Sequence, residues 1–181
     1  EYEAKLDAPM NSGVQIRGLS SPSIQNGRVH GYQIEIDPTD RAWTGGLYDE
    51  ARRGWLHPVN GQEAVRKAFR MGEWNRFRVE VIGTSIRSWV NGVAVANVVD
   101  DLTSKGFIAL QVHAIGNDAT KVGQTVRSRN IRILTQDLER QRTPDKGDTP
   151  QFNFIPNPGV LATDLDSTSL WGSPLTELCV Y

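Results

Sequence analysis

The chain has 181 residues, room for one medium domain plus a tail and hardly for two full domains. Lys and Arg number 20 against 21 Asp and Glu, so the formal charge of −1 carries no footprint for a polyanion such as nucleic acid. The single cysteine, Cys179, excludes an intrachain disulfide or a CxxC site, and no stretch approaches the ~18 apolar residues of a membrane helix.

Residues 1 to 134 are dominated by alternation. Tyr2-Ala4-Leu6 and Val14-Ile16 come first, each apolar at every second position, as in strands with one buried face. A Ser/Pro/Gly-rich loop over residues 18 to 30 follows, and then a strand through Tyr32-Ile34-Ile36. Residues 38 to 60 read as a second long loop holding Trp43, Tyr48 and Trp55, and long loops over a rigid sheet commonly carry binding. Gln62 to Phe69 places Ala64, Val65, Ala68 and Phe69 on one side, enough for a turn or two of helix.

Phe77-Val79-Val81 resumes the alternation. Asn91-Gly92 then joins Ile86–Val90 to Val93–Ala96, and that pair tolerates the positive φ of a type I′ hairpin turn. Ile108-Leu110-Val112 is a further strand, and Arg129 to Leu134 reads as the closing one. Residues 136 to 151 are charged and punctuated by Pro and Gly, as in a linker. Residues 152 to 181 regain apolar content without clear period, as an extended arm or the start of another module. No signal peptide is visible, which a mature or trimmed chain would share. The pattern predicts an all-β sandwich of two antiparallel sheets.

Opposite the apolar sets stand Glu1, Glu3 and Lys5; Gln15 and Arg17; Gln33, Glu35 and Asp37; and Gln111 and His113. This face collects side chains that form directional hydrogen bonds with hydroxyl groups. One reading is a solvated face with cross-strand ion pairs such as Arg17 with Glu35. The other is a carbohydrate-binding face, with Trp43, Tyr48 and Trp55 packing on the C–H faces of sugars. Trp74 and Trp89, inside strand patterns, are expected in the core. Arg52, Arg53, Arg66, Lys67 and Arg70 read as solvated surface, and His30 and His57 as loop surface. His113 ends an apolar strand on the polar face, where it can act as a base or bind a metal. P-loop, GxGxxG, HExxH and GxSxG motifs are absent.

The segments Glu1–Leu6, Asn11–Gly18, Gly31–Asp37, Thr44–Glu50, Gly72–Asn75, Trp89–Gly92, Gly106–His113 and Arg129–Ile133 occur in an order that resembles the 3-keto-disaccharide hydrolase domain family. The resemblance covers residues 1 to about 134 and implies a concanavalin- or laminarinase-like jelly roll. Relative to that family the opening strands are missing, so a further segment or chain is expected to complete the sheet. Residues 136 to 181 match nothing in the family pattern.

The resemblance further implies a periplasmic or secreted bacterial protein that cleaves 3-keto-glycosides and 3-keto-disaccharides by elimination and hydration. The expected catalytic set is His113 as base, Arg17 stabilising the enolate, and a carboxylate, Glu35 or Asp37, protonating the leaving group. Gln15, Gln33, Tyr48, Trp55 and Gln111 are expected to bind substrate. A divalent metal held by Glu35, Asp37 and His113 is an alternative to Arg17. The competing functions are a non-catalytic carbohydrate-binding module and a structural domain of a larger assembly. The expected partner is carbohydrate, with no nucleic acid and no membrane insertion.

Overall fold

Period-two alternation turns into strands wherever a second sheet is available to bury the apolar side. The computed structural model describes residues 1–155 together with the backbone of Cys179–Val180. Its strands are β1 (Tyr2–Leu6), β2 (Ser12–Leu19), β3 (His30–Ile36), β4 (Leu47–Glu50), β5 (Gly54–His57), β6 (Asn75–Ile82), β7 (Ser85–Val90), β8 (Val93–Val99), β9 (Phe107–His113), β10 (Val126–Arg129), β11 (Phe152–Asn153) and β12 (Cys179–Val180). A single α-helical turn, α1 (Glu63–Arg66), lies where the short helix was expected.

The strands form two six-stranded sheets, ordered β10-β1-β6-β7-β8-β11 and β12-β9-β2-β3-β4-β5. All pairings are antiparallel except β11 with β8, which gives the expected jelly-roll sandwich. Leu6, Tyr32, Ile34, Ile36, Leu47, Phe77, Ile86 and Val90 meet between the sheets as the core. Asn91 and Gly92 both take positive φ (49° and 84°), so the β7–β8 hairpin turns as its Asn-Gly pair predicts.

Several expectations change. The loop over residues 38 to 60 contains β4 and β5, so Tyr48 and Trp55 are strand residues. The closing strand runs over Val126–Arg129, because Asn130 adopts a left-handed φ of 53°. Beyond it, Arg132 exchanges backbone hydrogen bonds with Glu1. Trp89 points away from the core: on β7 it is Ile86, Ser88 and Val90 that turn inward, leaving Arg87 and Trp89 on the outer face. Trp74 is half-buried, with Arg129 stacked on its ring at 4.0 Å. Arg52 and Arg53 belong to a largely buried ion-pair network with Asp49 and Asp100.

Residues read as a linker lie along the outer face of the first sheet. Thr143 donates its backbone N–H to both oxygens of Glu80 at 3.1 Å, and Arg87 donates to the Thr143 carbonyl at 2.6 Å. Of the arm at 152–181, Phe152–Asn153 form β11 at the edge of the first sheet, Phe154 donates its N–H to the Val99 carbonyl, and Cys179–Val180 pair with β9 as β12, whereas 156–178 and 181 lie outside the described residues. At the other end of the sandwich, Ile108, Leu110 and Val112 of β9 are exposed on the side that faces the first sheet.

Candidate functional site

The outer face of the second sheet is built by register. Ala109, Gln15, Gln33, Tyr48 and Trp55 stand side by side across β9, β2, β3, β4 and β5. One step along, Gln111 and Glu35 flank Gly13. A Cβ on Gly13 would come within 2.9 Å of both Gln33 Cγ and the Ile34 carbonyl oxygen, so the glycine is what lets its neighbours lean together. Gln15, Gln33, Glu35 and Gln111 are all buried, so this face is a packed polar layer and not a loosely solvated one.

Glu35 is the electrostatic centre of that layer. Burial pushes its carboxyl up to about 7, opposed by hydrogen bonds from Gln33 and Asn11, and assisted by the nearby negative charge of Asp37. Gln33 Nε2 donates to Glu35 Oε2 at 2.8 Å, and Asn11 Nδ2 donates to Oε1. Near neutral pH this carboxyl is therefore both a proton donor and an acceptor, the range that general acid–base chemistry requires.

Beyond Asn11 lies a cavity of about 670 Å³, lined among others by Asn11, Asp37, Thr39, Arg41, His113 and Lys121. The His113 ring, half-buried, bonds through Nδ1 to the Ala114 carbonyl oxygen at 2.7 Å. A carbonyl only accepts, so Nδ1 carries the proton and Nε2 is the basic nitrogen of the neutral ring. Asp37 is buried and accepts from the Thr39 hydroxyl at 2.6 Å and from Arg41 Nε. The Arg41 guanidinium lies 5.0 Å and 5.1 Å from the Trp43 and Trp55 ring centres. Trp55 in turn meets Trp43 edge-on at 4.7 Å and Tyr48 at 5.1 Å. One arginine thus joins the aromatic cluster to the carboxylate that lines the cavity.

His113, Asp37 and Glu35 are brought together at the start of β2 and the ends of β3 and β9. Arg17 is not. It sits five residues further along β2, roughly 17 Å away at ~3.3 Å per residue. A bulge turns it aside with φ 48°, so that it donates to the Gly83 carbonyl at 2.8 Å and the Thr103 carbonyl at 3.3 Å. The anticipated Arg17–Glu35 ion pair does not form. Among the described residues no group of three or more His, Cys, Asp and Glu side chains is placed to hold one metal ion, so Glu35, Asp37 and His113 do not make a ready ligand set. His30 and His57 are buried strand residues. His57 packs edge-on against Phe152 at 4.6 Å and bonds to the Pro150 carbonyl at 3.2 Å, which closes the strap of residues 149–154 over β5.

Asn11, Arg41 and Lys121 were missed by pattern reading. Two of them were within reach. Ser12 pairs with Ile36, so extending the antiparallel register by one residue sets Asn11 beside Asp37, and Arg41 follows Asp37 by four residues. Lys121 comes from a short 3-10 turn, and no periodicity announces it.

Residues 1–134 match the family model described as the 3-keto-alpha-glucoside-1,2-lyase-like domain. A search of curated proteins finds no match.

Proposed function

The chain belongs to the 3-keto-alpha-glucoside-1,2-lyase-like domain family, a carbohydrate-related family, and on that premise we propose that it cleaves 3-keto-glycosides by elimination followed by hydration. The observation that carries this reading is a cavity that unites His113, Asp37 and Arg41 next to a carboxyl poised near pH 7.

A ketone at C3 acidifies the proton on C2. His113 Nε2 takes that proton, and the electron pair moves into the C2–C3 bond as the C3 oxygen becomes an enolate. Arg41 stabilises the enolate, held in place by Asp37 and by its stack on Trp43 and Trp55. The enolate then re-forms its carbonyl, the C1–C2 double bond forms and the C1–O bond breaks. The leaving oxygen takes a proton relayed from Glu35, which burial keeps partly protonated near neutrality, through a water admitted past the Asn11 lip of the cavity. Water adds at C1 and a proton returns to C2, completing a net hydrolysis. The half-buried Tyr48 and Trp55 are suited to the sugar's apolar face, with Gln15, Gln33 and Gln111 behind them as a buried polar layer.

The test is turnover of a 3-keto-glucoside in heavy water. The expected product carries deuterium at C2, and the unoxidised parent glucoside is inert. Product without label, or equal turnover of the parent, overturns elimination in favour of ordinary two-carboxylate hydrolysis. Binding of both sugars without turnover would make the domain a carbohydrate-binding module.

A further inference from the structure

The cavity at His113 has two unlike sides, and strand order sets them apart. β2 lies between β9 and β3, so extending their registers by one residue sets His113, Asn11 and Asp37 in a row across one end of the second sheet. Past that row the chain leaving β3 is polar and lines the cavity with Thr39 and Arg41. The chains next to it are apolar: Pro9 and Met10 ahead of β2, and Ala114 and Ile115 after β9. From β3 to β9 is two strand spacings, roughly 10 Å, which is room for a pyranose ring and its glycosidic oxygen.

The apolar side also has its backbone groups engaged. Pro9 has no N–H, and the N–H of Met10 is bonded to the Ala8 carbonyl at 2.7 Å. The Ala114 carbonyl accepts from the His113 ring at 2.7 Å, and the Ile115 carbonyl accepts from the Asp118 N–H at 3.2 Å. That last bond closes the chain after β9 into a turn and fixes Ile115, which is half-buried, against the cavity. Lys121, the charged member of this side, is paired with Asp118 at 3.5 Å. Sugar hydroxyls placed here would give up water for few new partners, whereas an apolar group gains by leaving water.

Resting on the elimination reading above, we infer that the group released from C1 is an apolar aglycone, aryl or arylalkyl, and not a second sugar. The order of the reacting atoms carries this. Arg41 on the β3 side meets the C3 oxygen and His113 on the β9 side meets the C2 proton, so the path from C3 through C2 to C1 runs away from Arg41. The substituent on C1 then continues over Pro9, Met10, Ala114 and Ile115. It departs as its alcohol, with the proton relayed from Glu35. The polar side thus recognises the oxidised sugar, and the apolar side selects what that sugar was attached to.

Steady-state kinetics of the full chain test the inference, with 2-phenylethyl 3-keto-α-glucoside set against methyl 3-keto-α-glucoside and maltose oxidised at C3 of its non-reducing ring. A sugar hydroxyl leaves at least as readily as phenylethanol, so a preference for the phenylethyl glycoside reports binding and not leaving-group chemistry. Its kcat/KM is expected to exceed that of either comparison at least tenfold, with the difference in KM. Ile115→Asn is expected to narrow the ratio to the oxidised maltose at least fivefold. Pro9 is exposed, and Pro9→Asn narrows it as well, which keeps the test valid if Ile115→Asn fails to fold. Equal or faster turnover of the oxidised maltose, or a ratio that neither variant moves, overturns the inference and leaves the elimination reading standing. No turnover of any of the three overturns both.

Discussion

Asn11 and Glu35, 24 residues apart, are joined by a hydrogen bond from the Asn11 amide to the Glu35 carboxylate, which ties the lip of the cavity to the buried polar layer behind it. The bond favours the ionised carboxylate, so Asn11 opposes the upward push of burial. Asn11→Leu is expected to raise the Glu35 pKa above about 7. A carboxyl-carbon NMR titration in which the Glu35 midpoint stayed or fell would contradict this.

The same carboxyl makes stability depend on pH. Its folded pKa of about 7 exceeds the reference of 4.5, so the folded state holds the proton more tightly than the unfolded chain. The associated stability is complete below pH 4.5 and lost as pH rises to 7, amounting to about 3 kcal/mol at 1.36 kcal/mol per pKa unit. Glu35→Gln removes this dependence. Urea midpoints for the variant relative to wild type should climb between pH 4.5 and 7, then level off.

Arg17 is expected to matter for stability and not for sugar binding. Its two bonds to the Gly83 and Thr103 carbonyls clip the end of β2 to the β6–β7 turn and to the segment before β9. Arg17→Ala should cost about 1–2 kcal/mol in chemical denaturation. Affinity for a 3-keto-glucoside should match wild type, and a selective loss of binding would return Arg17 to the site.

Gly13→Ala should damage the site and the fold together. The added methyl meets the Ile34 carbonyl, a backbone atom, as well as Gln33 Cγ, and neither strand can yield without shifting the ladder. A loss of about 1–3 kcal/mol is expected, as for other overpacked positions, with weaker sugar binding. Retention of both in thermal melts and titrations would mean that the sheet relaxes there.

Aliphatic side chains facing the inter-sheet space fall into two energetic classes. Ile34 is 0% exposed and Val112 is 69% exposed, although both lie on the same face of one sheet. Ile34→Ala should cost about 2–5 kcal/mol. Val112→Thr should change stability little and reduce binding of a hydrophobic dye, since Val112 belongs to an exposed apolar row with Ile108 and Leu110. Comparable destabilisation by the two substitutions would show that something covers Val112 in solution.

Much of this was legible in the residues. Tyr32-Ile34-Ile36 and the Asn91-Gly92 turn announced their strands, and the alternate positions Gln33, Glu35 and Asp37 announced the polar face. At Trp89 side-chain type and parity disagree, and parity decides. Trp89 is out of phase with Ile86 and Val90 and so faces outward, however apolar its ring. Arg17 failed for another reason: strict alternation puts it beside Gln15, and a bulge that no local pattern announces removes it. Arg41 and Lys121 come from irregular backbone, where the chain's path is set by tertiary contacts and carries no period to read.

That bulge has a mechanical consequence. The pairing of β2 slips between Ile16 and Leu19 on the β3 side and between Gln15 and Gly18 on the β9 side. The strand therefore carries two phases joined at the bulge around Arg17. Ser12, Gly13 and Gln15 keep their register with Glu35 and Gln111 in one phase, while the other hands the chain on to the segment ahead of β3. Insertions or deletions in that segment are absorbed at the bulge and are not passed back along the ladder. A change in the length of residues 20–29 is therefore expected to leave the hydrogen-bonding layer at Gln15 and Glu35 in step.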